Sequence, residues 1–203
     1  MNNFEVYILS LLRPDRKQLV ESNVKKFPEI KIFKSINGYD TKETLEALEV
    51  SGLKYHYLGF PTYGTLANFL TKYNVLKYQI ANKIDFMCFI EDDLELHDNF
   101  MVFIRNSLHL LKDDLELNML RLDTWGEGYV TSLAGAERTK YHIDKKGICK
   151  NIDDQLRLIS GKEKHITNTP WRLIHKTNAG DCLKTERLPE IYKGIYKGGK
   201  HGF

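Results

Sequence analysis

At 203 residues, 42% hydrophobic and 11% aromatic, the chain has the size of one domain and enough apolar surface for an ordinary core. No run approaches the ~20 apolar residues of a membrane span, and the first five residues lack the basic-then-apolar layout of a signal peptide, so a cytoplasmic protein is expected. Cys88, Cys149 and Cys182 are odd in number and far apart, which argues against a disulfide framework or a zinc site, and the net charge of +3 divides unevenly, with 13 Lys and Arg against 7 Asp and Glu from residue 142 onward, +6 there and −3 before it.

Residues 5–12 form a short apolar run carrying Val6, Ile8 and Ser10, the pattern of a buried first strand. Pro14 suits the first turn of a helix, where its missing N–H costs nothing, and Leu19, Val20, Val24 and Phe27 give that helix an apolar face before Pro28 ends it. Ile30, Ile32 and Ile36 share one face of a second strand that closes in the turn Asn37-Gly38. From Gly64 the period changes. Leu66, Phe69, Leu70, Tyr73, Leu76 and Ile80 fall close to helical spacing and predict a strongly amphipathic helix. The apolar run 86–90 reads as a central strand with both faces covered. Asp98 is a candidate cap for a helix carrying Phe100, Phe103, Ile104, Leu108 and Leu111. Residues 119–122 read as another strand, and Ser132 as the cap of a short helix over 133–141. Beyond about Gly147 the pattern weakens to loops with one or two short elements, and the glycines of 193–203 predict a flexible lid or tail. Strands alternating with helices predict a single α/β domain: a mostly parallel central sheet flanked by helices, with a loop-rich C-terminal part.

The densest chemical signal is Glu91, Asp92 and Asp93, directly after the apolar run 86–90. In open α/β sheets, ligands bind at the carboxyl ends of the strands. Carboxylates crowded on one turn repel each other unless a cation neutralises them, and an all-oxygen set suits Mn²⁺ or Mg²⁺. Such an ion can bridge two phosphates and stabilise the charge that grows on a departing diphosphate. The same triplet also reads as a solvated acidic turn opening the next helix, and spacing leaves both readings open. The basic C-terminal third fits a nearby diphosphate or polyanion, and equally a solvated lysine-rich surface. The phosphate loop Gly-x-x-x-x-Gly-Lys-Ser/Thr and the dinucleotide Gly-x-Gly-x-x-Gly are absent, and no Ser-His-Asp trio is recognisable. Kinase, dehydrogenase and acyl-transfer readings therefore lack their usual sequence support.

Five blocks in order are more specific than the triplet alone. They are the stretch from Val6 to Arg16 with Arg13-Pro14-Asp15-Arg16 at its end; Ile36-Asn37-Gly38-Tyr39-Asp40; the helix opening Gly64-Thr65-Leu66-Ala67-Asn68; Phe89-Ile90-Glu91-Asp92-Asp93-Leu94; and Gly128-Tyr129-Val130-Thr131-Ser132 followed by Ala136 and Ile152-Asp153. Together they resemble glycosyltransferase family 25, the lipooligosaccharide and collagen-type sugar transferases with a GT-A-type fold. The chain departs from that pattern at Thr71-Lys72, where the family has Ser-His, and at Ala67, where it has a second glycine.

The resemblance implies a metal-dependent enzyme that moves a sugar from a nucleotide diphosphate donor, a UDP-sugar, to a hydroxyl on a glycan or protein. Asp93 would bind Mn²⁺ or Mg²⁺ directly, and Glu91 would touch metal or ribose, with Asp92 beside them at the nucleotide-sugar. Ile8, Ser10 and Arg13 would line the base pocket, with Gly38 and Asp40 on its rim. Lys72 is a candidate diphosphate or acceptor contact, or else a surface lysine on an amphipathic helix. Asp153 and Asp154 are candidates for the carboxylate that takes the proton of the attacking hydroxyl in an inverting enzyme, or for the N-cap of a helix beginning near Gln155. A third metal ligand from late in the chain, often a histidine in GT-A enzymes, has His201 and His175 as candidates, with His165 behind them. Gly198, Gly199, Lys200, His201 and Gly202 have the makings of a flap over a diphosphate, or of a frayed tail. Trp125, Tyr129 and Trp171 can stack on a sugar or base, or simply pack. Two alternatives stand beside this reading. An acceptor in DNA, a hydroxylated base, is favoured by the basic final third and predicts salt-sensitive duplex binding. A catalytically dead nucleotide-sugar binder is disfavoured by the intact acidic triplet.

Overall fold

Alternation along the first strand sets up the layers of the molecule. The computed structural model describes residues 3–56, 62–113, 117–122, 127–160, 163–165 and 174–175. The chain runs β1 (Phe4–Ser10), α1 (Pro14–Lys26), β2 (Ile30–Lys34), α2 (Thr41–Ser51), α3 (Tyr63–Ala81), β3 (Phe86–Glu91), β4 (Leu94–Glu95), α4 (Phe100–Asp113), β5 (Met119–Arg121), β6 (Gly128–Ser132), α5 (Leu133–Lys146), α6 (Ile152–Ser160), β7 (Glu163–His165) and β8 (Ile174–His175). Tyr7 and Leu9 of β1 and Met87 and Phe89 of β3 face one apolar layer, formed with α2, α3, α5 and α6; Val6, Ile8, Cys88 and Ile90 face the other, formed with α1 and α4. A period of two with both faces apolar is what a central strand covered by helices requires.

The six-stranded sheet has the order β2-β1-β3-β6-β5-β7. β2, β1 and β3 pair in parallel, β6 is antiparallel to both β3 and β5, and β7 is parallel to β5. Five strands thus point one way and β6 alone is reversed, so the predicted mostly parallel sheet forms. The reversal follows from the link between β5 and β6, which is too short to hold the crossover that a parallel pair needs. A separate antiparallel pair, β4 with β8, sets Leu94 opposite His175.

Several local expectations change. Ile32 is 40% exposed, because β2 is the edge strand and only Ile30 reaches fully under the helices. Phe33, on the opposite face, packs edge-on against Tyr7 and Tyr78. Asp98 does not cap α4; its carboxylate pairs with Lys26 of α1. Ser132 does cap α5, its hydroxyl accepting the Gly135 N–H at 3.1 Å, and the helix runs on to Lys146, five residues beyond the expected end. The eleven-residue α2 was not anticipated, although Asp40 accepts the Glu43 N–H at 3.0 Å and Gly52 closes the helix in the left-handed region (φ 66°). Among the described residues, no helix is long and apolar enough to cross a membrane.

Candidate active site

Parallel strands β1 and β3 end side by side, and the turns that leave them form a cleft of about 160 Å³. Its lining includes Leu9 of β1, Leu11 and Arg13 from the β1–α1 connection, Arg16 of α1, Gly38 and Tyr39 from the loop after β2, Ala67 and Asn68 from α3, and Glu91, Asp92 and Asp93. Gly38 explains how closely these pieces meet. A Cβ there would stand 2.4 Å from the Gly64 Cα, so the loop can lie against the first turn of α3 only without a side chain at that position.

The three acids are held by two cations. Arg16, 5% exposed, sets its guanidinium 3.4 Å from Asp92 Oδ1 and 3.2 Å from Asp93 Oδ2. Ser10 donates its hydroxyl to Asp92 Oδ2 at 2.6 Å and accepts the Leu12 N–H at 2.9 Å. Burial pushes the Asp92 carboxyl above its ordinary value; the Ser10 hydrogen bond and Arg16 pull it back, while Asp93 and Glu91 push it further. On the other side, the Lys72 ammonium lies 2.7 Å from Glu91 Oε1 and 2.8 Å from Asp153 Oδ1, and Asn68 also donates to Glu91 Oε1 at 3.2 Å. The Tyr129 hydroxyl donates to Asp153 Oδ1 at 3.0 Å. Burial disfavours the charge on Lys72, yet Asp153 and Glu91 outweigh it and hold the ammonium well above its ordinary value. Asp153 is raised by burial, lowered by Lys72 and raised again by Glu91. The ammonium meets two anions, whereas Asp153 is buried and meets one cation and one anion.

Glu91, Asp92, Asp93 and Asp153 against Arg16 and Lys72 leave a formal charge of −2. Asp93 Oδ1 is buried and, among the described residues, has no hydrogen-bond partner. Leaving such an oxygen unmatched costs about 1–3 kcal/mol, so the position asks for a donor or a cation. Among the described residues, no three His, Cys, Asp or Glu side chains converge on a point. A hard divalent cation shared with phosphates needs only one or two protein carboxylates, and Asp93 meets that demand.

The remaining candidates fall into distinct places. Arg13 lines the cleft, paired with Asp15 and stacked 5.2 Å over the Tyr39 ring. Ser10 supports Asp92 from behind and does not line the cleft. Ile8 is 1% exposed in the core under α1 and α4 and is not part of the cleft lining. Asp40 spends its carboxylate on capping α2 and is not part of the cleft lining. Lys72, 1% exposed, is not a surface lysine, and its ammonium meets Glu91 and Asp153. Of the two late acids, Asp153 joins the charged cluster through Lys72 and Tyr129, although it is not part of the cleft lining. Asp154 instead trades hydrogen bonds with Asn151 (its N–H to Asn151 Oδ1 at 2.8 Å, its carboxylate to Asn151 Nδ2 at 2.9 Å), the pattern that opens α6. Tyr129 is fully buried with its ring 5.4 Å from the Lys72 ammonium, so it packs and hydrogen-bonds, and does not stack on a ligand. The β8 backbone puts His175 in register one residue past Asp93. Lys200, His201, Trp125 and Trp171 lie outside the described residues, and of His165 only the backbone pairing with Arg121 is described.

Arg16, Asn68, Tyr39 and Asn23 were given no role from sequence. Arg16 lies four residues before Val20 on the helical stripe that buries Asn23 and Phe27, but spacing alone does not show which acids it meets. Asn68 and Tyr39 had no signal beyond their place in blocks that resemble the family.

A family model described as glycosyltransferase family 25 (LPS biosynthesis protein) matches residues 3–177. No curated protein matches the chain. The matched span takes in every element of the fold and every side chain of the cleft.

Proposed function

This chain belongs to glycosyltransferase family 25, and from that membership we propose that it moves a sugar from a nucleoside diphosphate donor, with UDP as carrier, to a hydroxyl of a glycan. Asp93 would hold a manganese or magnesium ion, with Glu91 and Asp92 beside it on the acidic turn where the diphosphate would bind. The observation that carries this reading is the buried Asp93 Oδ1, unpartnered among the described residues, in a cluster of formal charge −2. When bound, the ion supplies charge neutralisation to the leaving diphosphate. The order of the sheet, with its one reversed strand, suits the GT-A-type fold that the resemblance implies.

The chain's own groups supply the rest. Arg16 and Ser10 fix the backs of Asp92 and Asp93, so the free oxygen faces its partner without reorganisation. Arg13 and Tyr39 offer a cation and a ring at the far wall of the cleft for the nucleoside. Asp153 takes the proton of the acceptor hydroxyl as its oxygen bonds to the anomeric carbon; the bond from that carbon to the diphosphate breaks, and the electron pair leaves with the diphosphate. Such a displacement inverts the anomeric centre. An acceptor in DNA gains no support, because the basic segment behind that reading lies mostly outside the described residues.

Asp93→Asn, which keeps shape and removes charge, tests the reading. Titration calorimetry with UDP, with and without Mn²⁺, should show metal-dependent binding in the natural protein and lose it by about tenfold or more in the variant, a cost of ~1.4 kcal/mol or more. Equal metal dependence in both proteins would remove Asp93 from the metal and the donor site with it.

A further inference from the structure

We propose that Lys72 is a positioning residue for transfer, clamping one oxygen of Asp153 from the buried side so that the other is presented to the acceptor hydroxyl. The inference rests on the glycosyl-transfer reading above. Lys72 is 1% exposed, so whatever it does is done through its neighbours. Those neighbours come from two elements that no backbone pairing joins: Glu91 from the end of β3 and Asp153 from the first turn of α6.

The geometry at Asp153 is one-sided. The Lys72 ammonium at 2.8 Å and the Tyr129 hydroxyl at 3.0 Å both take Oδ1. Among the described residues, Oδ2 receives no hydrogen bond or ion pair, and the side chain is 29% exposed. A carboxylate pinned through one oxygen and open at the other has a fixed orientation and a free lone pair, which is what a proton acceptor needs. Glu91 is held by the same ammonium, so the donor side and the acceptor side of the site are set relative to each other by a single charge. Without it, two carboxylates that now share a cation would face each other unscreened and move apart.

The test compares Lys72→Met, Lys72→Arg, Asp153→Asn and the double variant Lys72→Met with Asp153→Asn, after turnover of a nucleotide sugar by the natural protein has been measured. No transfer and no donor hydrolysis by the natural protein would overturn the transferase reading and this inference together. Given turnover, Lys72→Met should lower kcat by about 30-fold while the donor KM stays within about threefold, and Lys72→Arg should recover part of the loss. Asp153→Asn should lower kcat by about 10²–10⁴-fold, and the double variant should be no slower than Asp153→Asn, because nothing is left to position. A kcat for Lys72→Met within about threefold of the natural protein, or losses that multiply in the double variant, would overturn the inference and leave the transferase reading standing. Should Lys72→Met fail to fold, the double variant, which lacks the unpaired Asp153 charge, is compared with Asp153→Asn alone: equal kcat supports the clamp, and a further loss overturns it.

Discussion

Arg16 and Lys72 are the residues that periodicity is least able to place. Helical patterning sends charged side chains outward, because burying an isolated charge is costly. Here both are under 6% exposed, and each is matched by two carboxylates from other elements. The acids stood out in the sequence as three in a row after an apolar strand, although spacing left a solvated turn open beside a binding role. Their counter-cations did not, since pairing them requires knowing that α1 and α3 flank the same strand end. Asp40 is the opposite case: a motif position suggested a binding role, and the local pattern Asp40-x-x-Glu43 also specifies the helix cap that the structure shows. Asp40→Ala should therefore cost about 1 kcal/mol of stability in denaturant unfolding and leave UDP affinity unchanged. A tenfold weaker UDP Kd in that variant would return Asp40 to the site.

Among the elements, those with strong and long periodicity were legible, and those fixed by distant partners were not. β1, α1, α3, β3, α4 and α5 follow from their own apolar spacing. The two-residue β4 has no periodicity to read; it exists because Asn23 of α1 donates to the Leu94 carbonyl at 2.7 Å and accepts the Leu96 N–H at 3.1 Å. Lys26 adds a bond to the Leu96 carbonyl at 2.7 Å. Asn23, 4% exposed, thus satisfies the backbone directly after the acidic turn and ties that turn to α1. Asn23→Ala strands a buried carbonyl and a buried N–H, which should cost about 2–4 kcal/mol. Because the same segment carries Asp93, the variant should also need more Mn²⁺ to bind UDP, measured by thermal shift across a metal titration. A stability loss with an unchanged metal requirement would make α1 a structural brace only.

Across the whole molecule, distant stretches of the sequence meet at one end of the sheet. The N-terminal strand supplies Ser10, the middle supplies Lys72 and the acidic turn, and Asp153 arrives from beyond residue 150. The formal −2 left by four acids and two bases is the balance of this assembly, and no single segment contains it. The late metal ligand is the part on which sequence left two histidines open. His201 had the attraction of glycines and a lysine around it, but that is composition and carries no position. His175 has one, since β8 pairs with β4 and sets it opposite Leu94, next in chain to Asp93. The proposed cation at Asp93 therefore has His175 as its nearest late-chain candidate by backbone register. His175→Ala should weaken Mn²⁺-dependent UDP binding by about 10–100-fold, whereas a chain lacking residues 198–203 should keep it. Calorimetry on both variants decides between the two histidines, because each removes one imidazole and leaves the other. The shortened chain should also keep its melting temperature, since the described core and cleft are built from residues that precede the deletion. If instead the shortened chain loses the metal and His175→Ala does not, the backbone register of β8 is incidental and the glycine-flanked His201 takes its place beside Asp93.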